Sequence, residues 1–231
     1  PGKLRFPFEA IRLAGWLKRE RIDILNPHSS ADGWLLGVAG RLARVPLIIR
    51  SRHIDVTYPN AWLSRHAFTT LADHVLTTSN KITSHFQEIF RLPGDRITTV
   101  PTGIDIQRFS PDAMPAELPL NHAGESSPIV GMVSVLRSWK GHSTFLEAAR
   151  QLIDSGFKAR YVIVGEGPIR HLIEQQIGEL QLGGHVTLVG HREDVPAVLR
   201  ALDVLVIAST RHEGVPQIGL QALACKTPVV G

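Results

Sequence analysis

The chain has 231 residues, 43% hydrophobic and 20% charged, the balance of a soluble globular protein with room for one large or two modest domains. Its net charge of +4 suits an anionic small ligand, an anionic membrane surface or nucleic acid, and by itself selects none of them. The single cysteine, Cys225, excludes a disulfide framework or a cysteine metal site within the chain and points to a reducing, cytosolic setting. No uncharged apolar run approaches the ~20 residues needed to span a bilayer. The chain opens on Pro1-Gly2-Lys3-Leu4-Arg5, which is not a signal peptide, and stops at Val229-Val230-Gly231 with a strand in progress, so it reads as a fragment cut at both ends.

Apolar residues at Phe8, Ile11, Ala14 and Leu17 predict an amphipathic helix to Arg21, with Lys18, Arg19 and Arg21 in its last turn. A surface helix packed on a sheet is the plain reading, and a basic helix on an anionic membrane the sharper one. Strands are predicted at 23–26, 46–51, 74–78 and 97–100, with helices at 34–43, 62–71 and 82–90 between them. From Ser110 to Pro128 the composition turns to Pro, Ala, Asn, Gly and Ser without periodicity, as in a linker. A second series follows, with strands at 129–135, 161–164, 186–189 and 204–208 and helices at 143–153, 169–180 and 196–201. Alternating strands and helices imply parallel sheets. The expected architecture is α/β: two doubly wound, Rossmann-like domains facing each other across a cleft, residues 1–112 and 128–231, joined by a linker at 113–127.

Open parallel sheets bind ligands at the C-terminal ends of their strands, so the loops there carry the candidate chemistry. After the strand from Ile129 come Arg137, Lys140 and Gly141; two cations and a glycine that lets a ligand near the following helix N-terminus could clamp a diphosphate, where the alternative is a solvated basic turn. After the strand from Val204 come Arg211, His212, Glu213, Gly214 and Val215, and then a helix whose Gln217 and Gln221, four apart on one face, could hydrogen-bond hydroxyls. Gly165 and Gly190 with His191 end the neighbouring strands; glycines there could admit a flat base or ribose, and simple turns would look the same. In the first half, His28 and His53 each follow a strand. The eleven histidines show no His-Glu-x-x-His or other ligand spacing, so no metal is expected. Nucleic-acid binding would rest on net charge alone, without a basic stripe or interleaved aromatics, and is not expected.

Several of these pieces, taken together and in order, resemble the GT-B glycosyltransferases, in particular the large retaining group called family 4: Ala72-Asp73-His74-Val75-Leu76-Thr77-Thr78-Ser79, Val100-Pro101-Thr102-Gly103-Ile104-Asp105 with Arg108-Phe109, Leu136 to His142, Val164-Gly165-Glu166-Gly167-Pro168, Val189-Gly190 and Glu213-Gly214 onward. The resemblance covers the chain from about Ile24 to its end. It implies transfer of a sugar from a nucleoside diphosphate sugar to an acceptor hydroxyl with retention at the anomeric carbon. It also implies that Lys140, with an arginine, holds the donor diphosphate; that Glu213, first acid of a Glu-x7-Glu pair, contacts the sugar, with His53 beside it; that the second acid's position meets the ribose; and that the Gly190 loop lines the base pocket. Three positions depart from the pattern. Val135 stands where the arginine precedes the lysine, so that Arg137 would take its role; Gln221 replaces the second acid; and Pro216 replaces a glycine. The expected catalytic residues are therefore His53, Glu213 and Lys140, and the expected donor contacts are Arg137, Lys140, Gly141, Gly165, Gly190, His191, His212, Gly214, Val215, Gln217 and Gln221. No cofactor is expected beyond the sugar donor. The acceptor would be a saccharide or a lipid-linked sugar, met in the cytoplasm or at the inner face of the cell membrane. A non-catalytic nucleotide-binding remnant is the alternative.

Overall fold

A computed structural model describes residues 5–53, 61–120, 127–210 and 215–231. The chain divides into two compact units, Pro1–Thr102 and Gly103–Gly231, and each holds one all-parallel sheet.

In the first unit, α1 (Phe6–Arg19), β1 (Ile24–Leu25), α2 (Ser30–Ala43), β2 (Leu47–Arg52), α3 (Ala61–Thr69), β3 (His74–Thr77), α4 (Asn80–Phe90) and β4 (Ile97–Thr99) follow one another, and the strands lie in the order β1-β2-β3-β4. Helix α1 ends two residues before its predicted end because the chain turns left-handed at Arg21, φ 52°. Helix α2 starts four residues before the predicted Trp34, since Ser29 and Asp32 form a reciprocal capping box that closes its first turn. Helices α1 and α2 bury Ala14, Leu17 and Ala39 around Ile48, while in α3 and α4 Phe68 stacks on Phe90 and both meet Phe86 edge to face, packed with Val75 and Ile97. The Ala72-Asp73-His74 stretch has a structural task. Asp73 accepts from Arg41 at 2.7 Å and from the Ile48 amide at 2.8 Å, so it ties α2 and β2 to the start of β3. Burial alone would raise the Asp73 carboxyl pKa, but those hydrogen bonds and the charges of Arg41 and Arg96 hold it below the usual carboxylate value.

The second unit contains β5 (Ile129–Val133), α5 (His142–Asp154), β6 (Arg160–Val164), α6 (Arg170–Glu179), β7 (Val186–Gly190), α7 (Val195–Ala201), β8 (Val204–Val206), α8 (Gln217–Ala224) and β9 (Val229–Val230), with strand order β7-β6-β5-β8-β9. Along β6, Tyr161 and Ile163 pack with Phe145, Leu146 and Ile173 of α5 and α6, while Val162 and Val164 pack with Val198, Leu199 and Ala222 of α7 and α8. Burial of both faces explains why this strand reads as an unbroken apolar run. The predicted strands at 129–135 and 204–208 are shorter, ending at Val133 and Val206. Their last residues turn out of the ladder to form the loops described below.

The stretch read as a linker is partly packed. Just before it, Phe109 is buried in the core of the second unit; within it, the Ala116 amide donates to the Ala197 carbonyl at 2.9 Å, and Leu118 and Leu120 lie against the same core. The polar composition of 110–128 hides Ala116, Leu118 and Leu120, because they are single apolar residues without period. Residues 121–126 lie outside the described residues.

Candidate active site

The second sheet changes winding direction at β5. The chain proceeds from β5 outward to β6 and β7, then returns to place β8 on the other side of β5. The loops after β5 and β8 therefore leave the sheet side by side in opposite senses, which opens a crevice at the strand C-termini.

The β5 loop supplies the cations. Ser138–Lys140 form a single 3-10 turn, and Gly141, at φ 78°, swings the chain into α5. A side chain at Gly141 would place its Cβ 1.9 Å from the Ala208 carbonyl oxygen, so only glycine permits the two switch-point loops to touch. The Thr210 amide donates to the Trp139 carbonyl at 2.9 Å and joins the loops a second time. Arg137 is exposed, and its guanidinium stands 5.3 Å from the centre of the Trp139 ring. Lys140 is half-buried at the last position before Gly141. Lys140, Gly141 and the N-terminal amides of the 13-residue helix α5 are thus consecutive. That combination of a lysine and helix amides is suited to an anion.

The glycine loops after β6 and β7 extend the same row. Gly165, at φ 143°, approaches the Ser134 carbonyl so closely that a Cβ would lie 1.9 Å from it, and its amide donates to the Gly190 carbonyl at 2.8 Å. The Leu136 amide donates to the Glu166 carbonyl at 3.0 Å. Arg137, Lys140, Gly141, Gly165 and Gly190 accordingly belong to one hydrogen-bonded set of loops at one end of the second sheet. His191 follows Gly190 and is exposed; Val215 and Gln221 are half-buried, and Gln217 opens α8 on the exposed side. Arg211, His212, Glu213 and Gly214 lie outside the described residues. His53 belongs to the other unit, where its Nε2 is 2.7 Å from His28 Nδ1.

One residue under the β5 loop has no sequence signature for its role. His142, the first residue of α5, is buried, and its Nε2 lies 3.2 Å from Ser134 Oγ. Burial pushes its pKa down to about 4; a hydrogen bond with the Arg137 backbone opposes that shift and the nearby Lys140 charge adds to it. A neutral imidazole therefore sits beneath the cationic loop. A histidine after a glycine at a helix start reads as surface, and only the loop closing over it makes it buried.

The consequence for stability has a definite sign. The unfolded imidazole takes up its proton near pH 6.5 and the folded one near pH 4, so between these values the unfolded chain binds more protons. Stability is expected to fall by about 2.5 kcal/mol as pH drops from 6.5 to 4 on account of this residue. Urea unfolding midpoints of the protein and of His142→Gln, compared at pH 7 and pH 4.5, should show a smaller decline in the variant.

The fold and these loops define a class: doubly wound α/β units with a candidate ligand edge at a topological switch point. Residues 119–231 match the family model for glycosyl transferases group 1, and residues 1–108 match the one for Glycosyltransferase Family 4. Among curated proteins, the chain is 28% identical to the UDP-Gal:alpha-D-GlcNAc-diphosphoundecaprenol alpha-1,3-galactosyltransferase of Escherichia coli, over 95% of this chain and 60% of that one. It is 30% identical to a GDP-mannose-dependent alpha-(1-6)-phosphatidylinositol dimannoside mannosyltransferase of Mycobacterium tuberculosis, over 100% of this chain and 60% of the relative. In three dimensions it resembles a glycosyltransferase from Rickettsia africae, with TM-score 0.79, 20% identity and coverage of 99% of this chain and 62% of the other. It also resembles Anabaena HepE, solved in complex with UDP, with TM-score 0.77, 18% identity and coverage of 96% and 62%. The chain belongs to the GT-B glycosyltransferases of the group 1 and family 4 kind. It spans about 60% of the length of the curated relatives named here.

Proposed function

We propose that this chain is part of an enzyme that moves a sugar from a nucleoside diphosphate sugar to an acceptor hydroxyl with retention at the anomeric carbon. The observation that carries this reading is the switch-point edge of the second sheet, where Lys140 and Gly141 precede the N-terminus of α5 and are joined to the loop after β8. The donor diphosphate would lie against Lys140 and the first amides of α5, with Arg137 supplying the second charge. The base would sit by Gly165, Gly190 and His191. On the α8 side, Gln217 and Gln221 would meet ribose hydroxyls, Gln221 as a neutral amide and hence more weakly than a carboxylate. His212, Glu213, Gly214 and Val215 would meet the transferred sugar, and on the family pattern alone His53 is assigned to the same sugar.

In the reaction, the bond between the anomeric carbon and the diphosphate breaks and negative charge grows on the leaving phosphate oxygens. Lys140, Arg137 and the α5 amides offset that charge, a preorganised electrostatic effect that in a water-poor crevice contributes several kcal/mol. Glu213 and His53 hold the sugar while its anomeric carbon gains positive character. Lys140 and Arg137 would match the two negative charges of the bound donor diphosphate and the α5 amides would meet the charge added on departure, so no metal is assigned.

The test is calorimetric titration of the chain with UDP, GDP and ADP. Binding of one in preference to the others identifies the donor base, and the absence of binding to all three overturns the donor site. Proton couplings of the new glycosidic bond, measured on product from the full-length enzyme, decide retention. The departures at Val135 and Gln221 do not favour a non-catalytic remnant, since both halves of the chain match glycosyltransferase models.

The two curated relatives act, by their names, on a diphosphoundecaprenol-linked and a phosphatidylinositol-linked acceptor. A lipid-linked acceptor at the inner face of the cell membrane is the corresponding proposal here. No helix of the described residues is long and apolar enough to cross a membrane. Helix α1, however, leaves Phe8 77% and Ile11 65% exposed beside the side chains of Arg12, Lys18 and Arg19, a pattern suited to an anionic lipid surface. Phe8→Ser with Ile11→Ser is expected to weaken sedimentation of the protein with vesicles containing anionic lipid by about tenfold. Equal sedimentation of the double variant would remove α1 from membrane contact.

A further inference from the structure

The loops after β1 and β2 each carry one histidine, and the fold brings the two rings together. His28 Nδ1 lies 2.7 Å from His53 Nε2, and the ring planes are within 8° of parallel with centroids 5.0 Å apart. Both backbones are anchored. The His28 amide donates to Asp32 Oδ2 at 3.3 Å as part of the cap of α2, and the His53 carbonyl accepts from Thr78 Oγ1 at 3.2 Å. The neighbouring Arg52 side chain is itself held, donating to Ser30 Oγ at 3.3 Å.

A nitrogen–nitrogen contact this short is a hydrogen bond, which requires one proton on one of the two atoms. The location of that proton decides what His53 shows to anything else. If His28 Nδ1 carried it, the proton of a neutral His53 would sit on Nδ1, which would then be a donor. If His53 Nε2 carries it, Nδ1 is bare and accepts. The second arrangement leaves both rings in the Nε2–H form that imidazole side chains prefer in water, and it requires no charge on either ring. A proton added to His53 would meet a second imidazole and the Arg52 guanidinium. Burial, His28 and Arg52, in that order of importance, accordingly hold the His53 pKa below its ordinary value. Among the described residues, the charged and titratable groups placed around the pair by these contacts are Arg52 on β2 and Asp32 on α2.

We propose that His28 is a positioning residue for His53: by accepting the His53 Nε2 proton it locks the His53 ring plane and leaves Nδ1 as an acceptor for a ligand hydroxyl. This assignment goes beyond the reading of the donor site but rests on it for the identity of the ligand, a hydroxyl of the transferred sugar. The neighbouring capping box explains why His28 can serve. It fixes the backbone of His28 at the start of α2, so the ring has little freedom to turn away.

The pairing is testable without substrate. In the chain labelled with 15N-histidine, long-range proton–nitrogen spectra at pH 7 should show His53 with a protonated Nε2 and a bare Nδ1. In His28→Ala the two His53 nitrogens should shift toward the averaged values of a ring exchanging between tautomers, and the midpoint of His53 protonation should rise. In His28→Asn an amide oxygen can stand where Nδ1 stood, and the wild-type pattern should return. Identical His53 spectra in wild type and both variants, or a wild-type His53 already averaged, would overturn the pairing.

In the full-length enzyme, His28→Ala should lower kcat/KM for the sugar donor by about tenfold, the worth of one ordinary hydrogen bond, with recovery in His28→Asn. A lost tautomer with unchanged kcat/KM would overturn the positioning role. His53→Ala separates the two readings. If it leaves kcat/KM unchanged, the placement of His53 at the sugar fails; if it lowers kcat/KM while His28→Ala does not, only the role of His28 fails.

Discussion

Replacing Lys140 by Ala in the full-length enzyme is expected to lower kcat by about 10²–10³-fold, the usual loss when one preorganised charge partner of a departing group is removed. The reason lies in the timing of the charge. In the proposed site, donor binding would already place a diphosphate at the loop, but the bridging oxygen would gain charge only as the sugar departs, so a cation beside it would stabilise the transition state more than the ground state. KM should therefore change less than kcat. Lys140→Arg is expected to recover only part of the rate, because a planar guanidinium cannot occupy the place of a compact ammonium without shifting the Trp139 turn. Initial rates with a nucleoside diphosphate sugar check both variants, and unchanged turnover in Lys140→Ala would sink the assignment. Thermal melting serves as the control: Lys140 is only half-buried, so its loss should leave the fold intact.

Gly165→Ala is expected to cost about 3–5 kcal/mol of stability, among the largest effects of any single methyl group in this protein. Two penalties coincide there. The backbone sits at φ 143°, a region that residues with a side chain rarely enter, and the new Cβ would lie 1.9 Å from the Ser134 carbonyl oxygen. That oxygen cannot retreat easily, because the Ser134 amide is bound to the Val164 carbonyl at 3.0 Å and the Gly165 amide to the Gly190 carbonyl at 2.8 Å. Relief would have to come from separating the β5 and β6 loops, which would also open the proposed donor edge. Two further variants isolate the causes. Gly156→Ala has a positive φ of 85° but nothing within 4 Å of its Cβ, so it should cost only about 1 kcal/mol. Gly183→Ala has neither penalty and should be nearly neutral. Denaturation midpoints in urea order the three, and a Gly165→Ala variant as stable as Gly183→Ala would contradict the loop geometry.

Much of the architecture is legible in the residues. Strands such as Tyr161-Val162-Ile163-Val164 are apolar on every residue because both sheet faces are covered, and this run announces a parallel strand without any structure. Helix α4 is equally plain, with Ile82, Phe86 and Phe90 at helical spacing and Ser79 as its cap. The capping box at Ser29 and Asp32 was also available, as a serine followed three residues later by an acid, although the predicted helix began only at Trp34. The cations Arg137 and Lys140 and the glycines at 141, 165 and 190 are legible as candidates because loops after parallel strands are where such chemistry belongs. Ala116, Leu118 and Leu120 show the converse. Isolated apolar residues in a Pro-rich stretch carry no period, and only the core they join reveals that they are anchors.

Alternation of strand and helix patterns sets the parallel class of both sheets, since a chain of that pattern can bury its apolar faces only through crossover units. The order of strands is another matter. Nothing local to β8 says that it lies beside β5 rather than beyond β7, and that adjacency is what sets the Lys140 loop next to the loop after β8. The left-handed turn at Gly141 makes sense only once Ala208 is seen against it. The burial of His142 and its depressed pKa exist because a loop closes over it. His28 and His53, 25 residues apart, come within 2.7 Å because the chain after β1 runs on beside the last residues of β2, where the Ser51 amide donates to the Pro27 carbonyl. Residue type and spacing determine which elements form and which groups are chemically able; contacts between residues distant in the chain are set by how whole elements pack, and these alone decide which able groups meet.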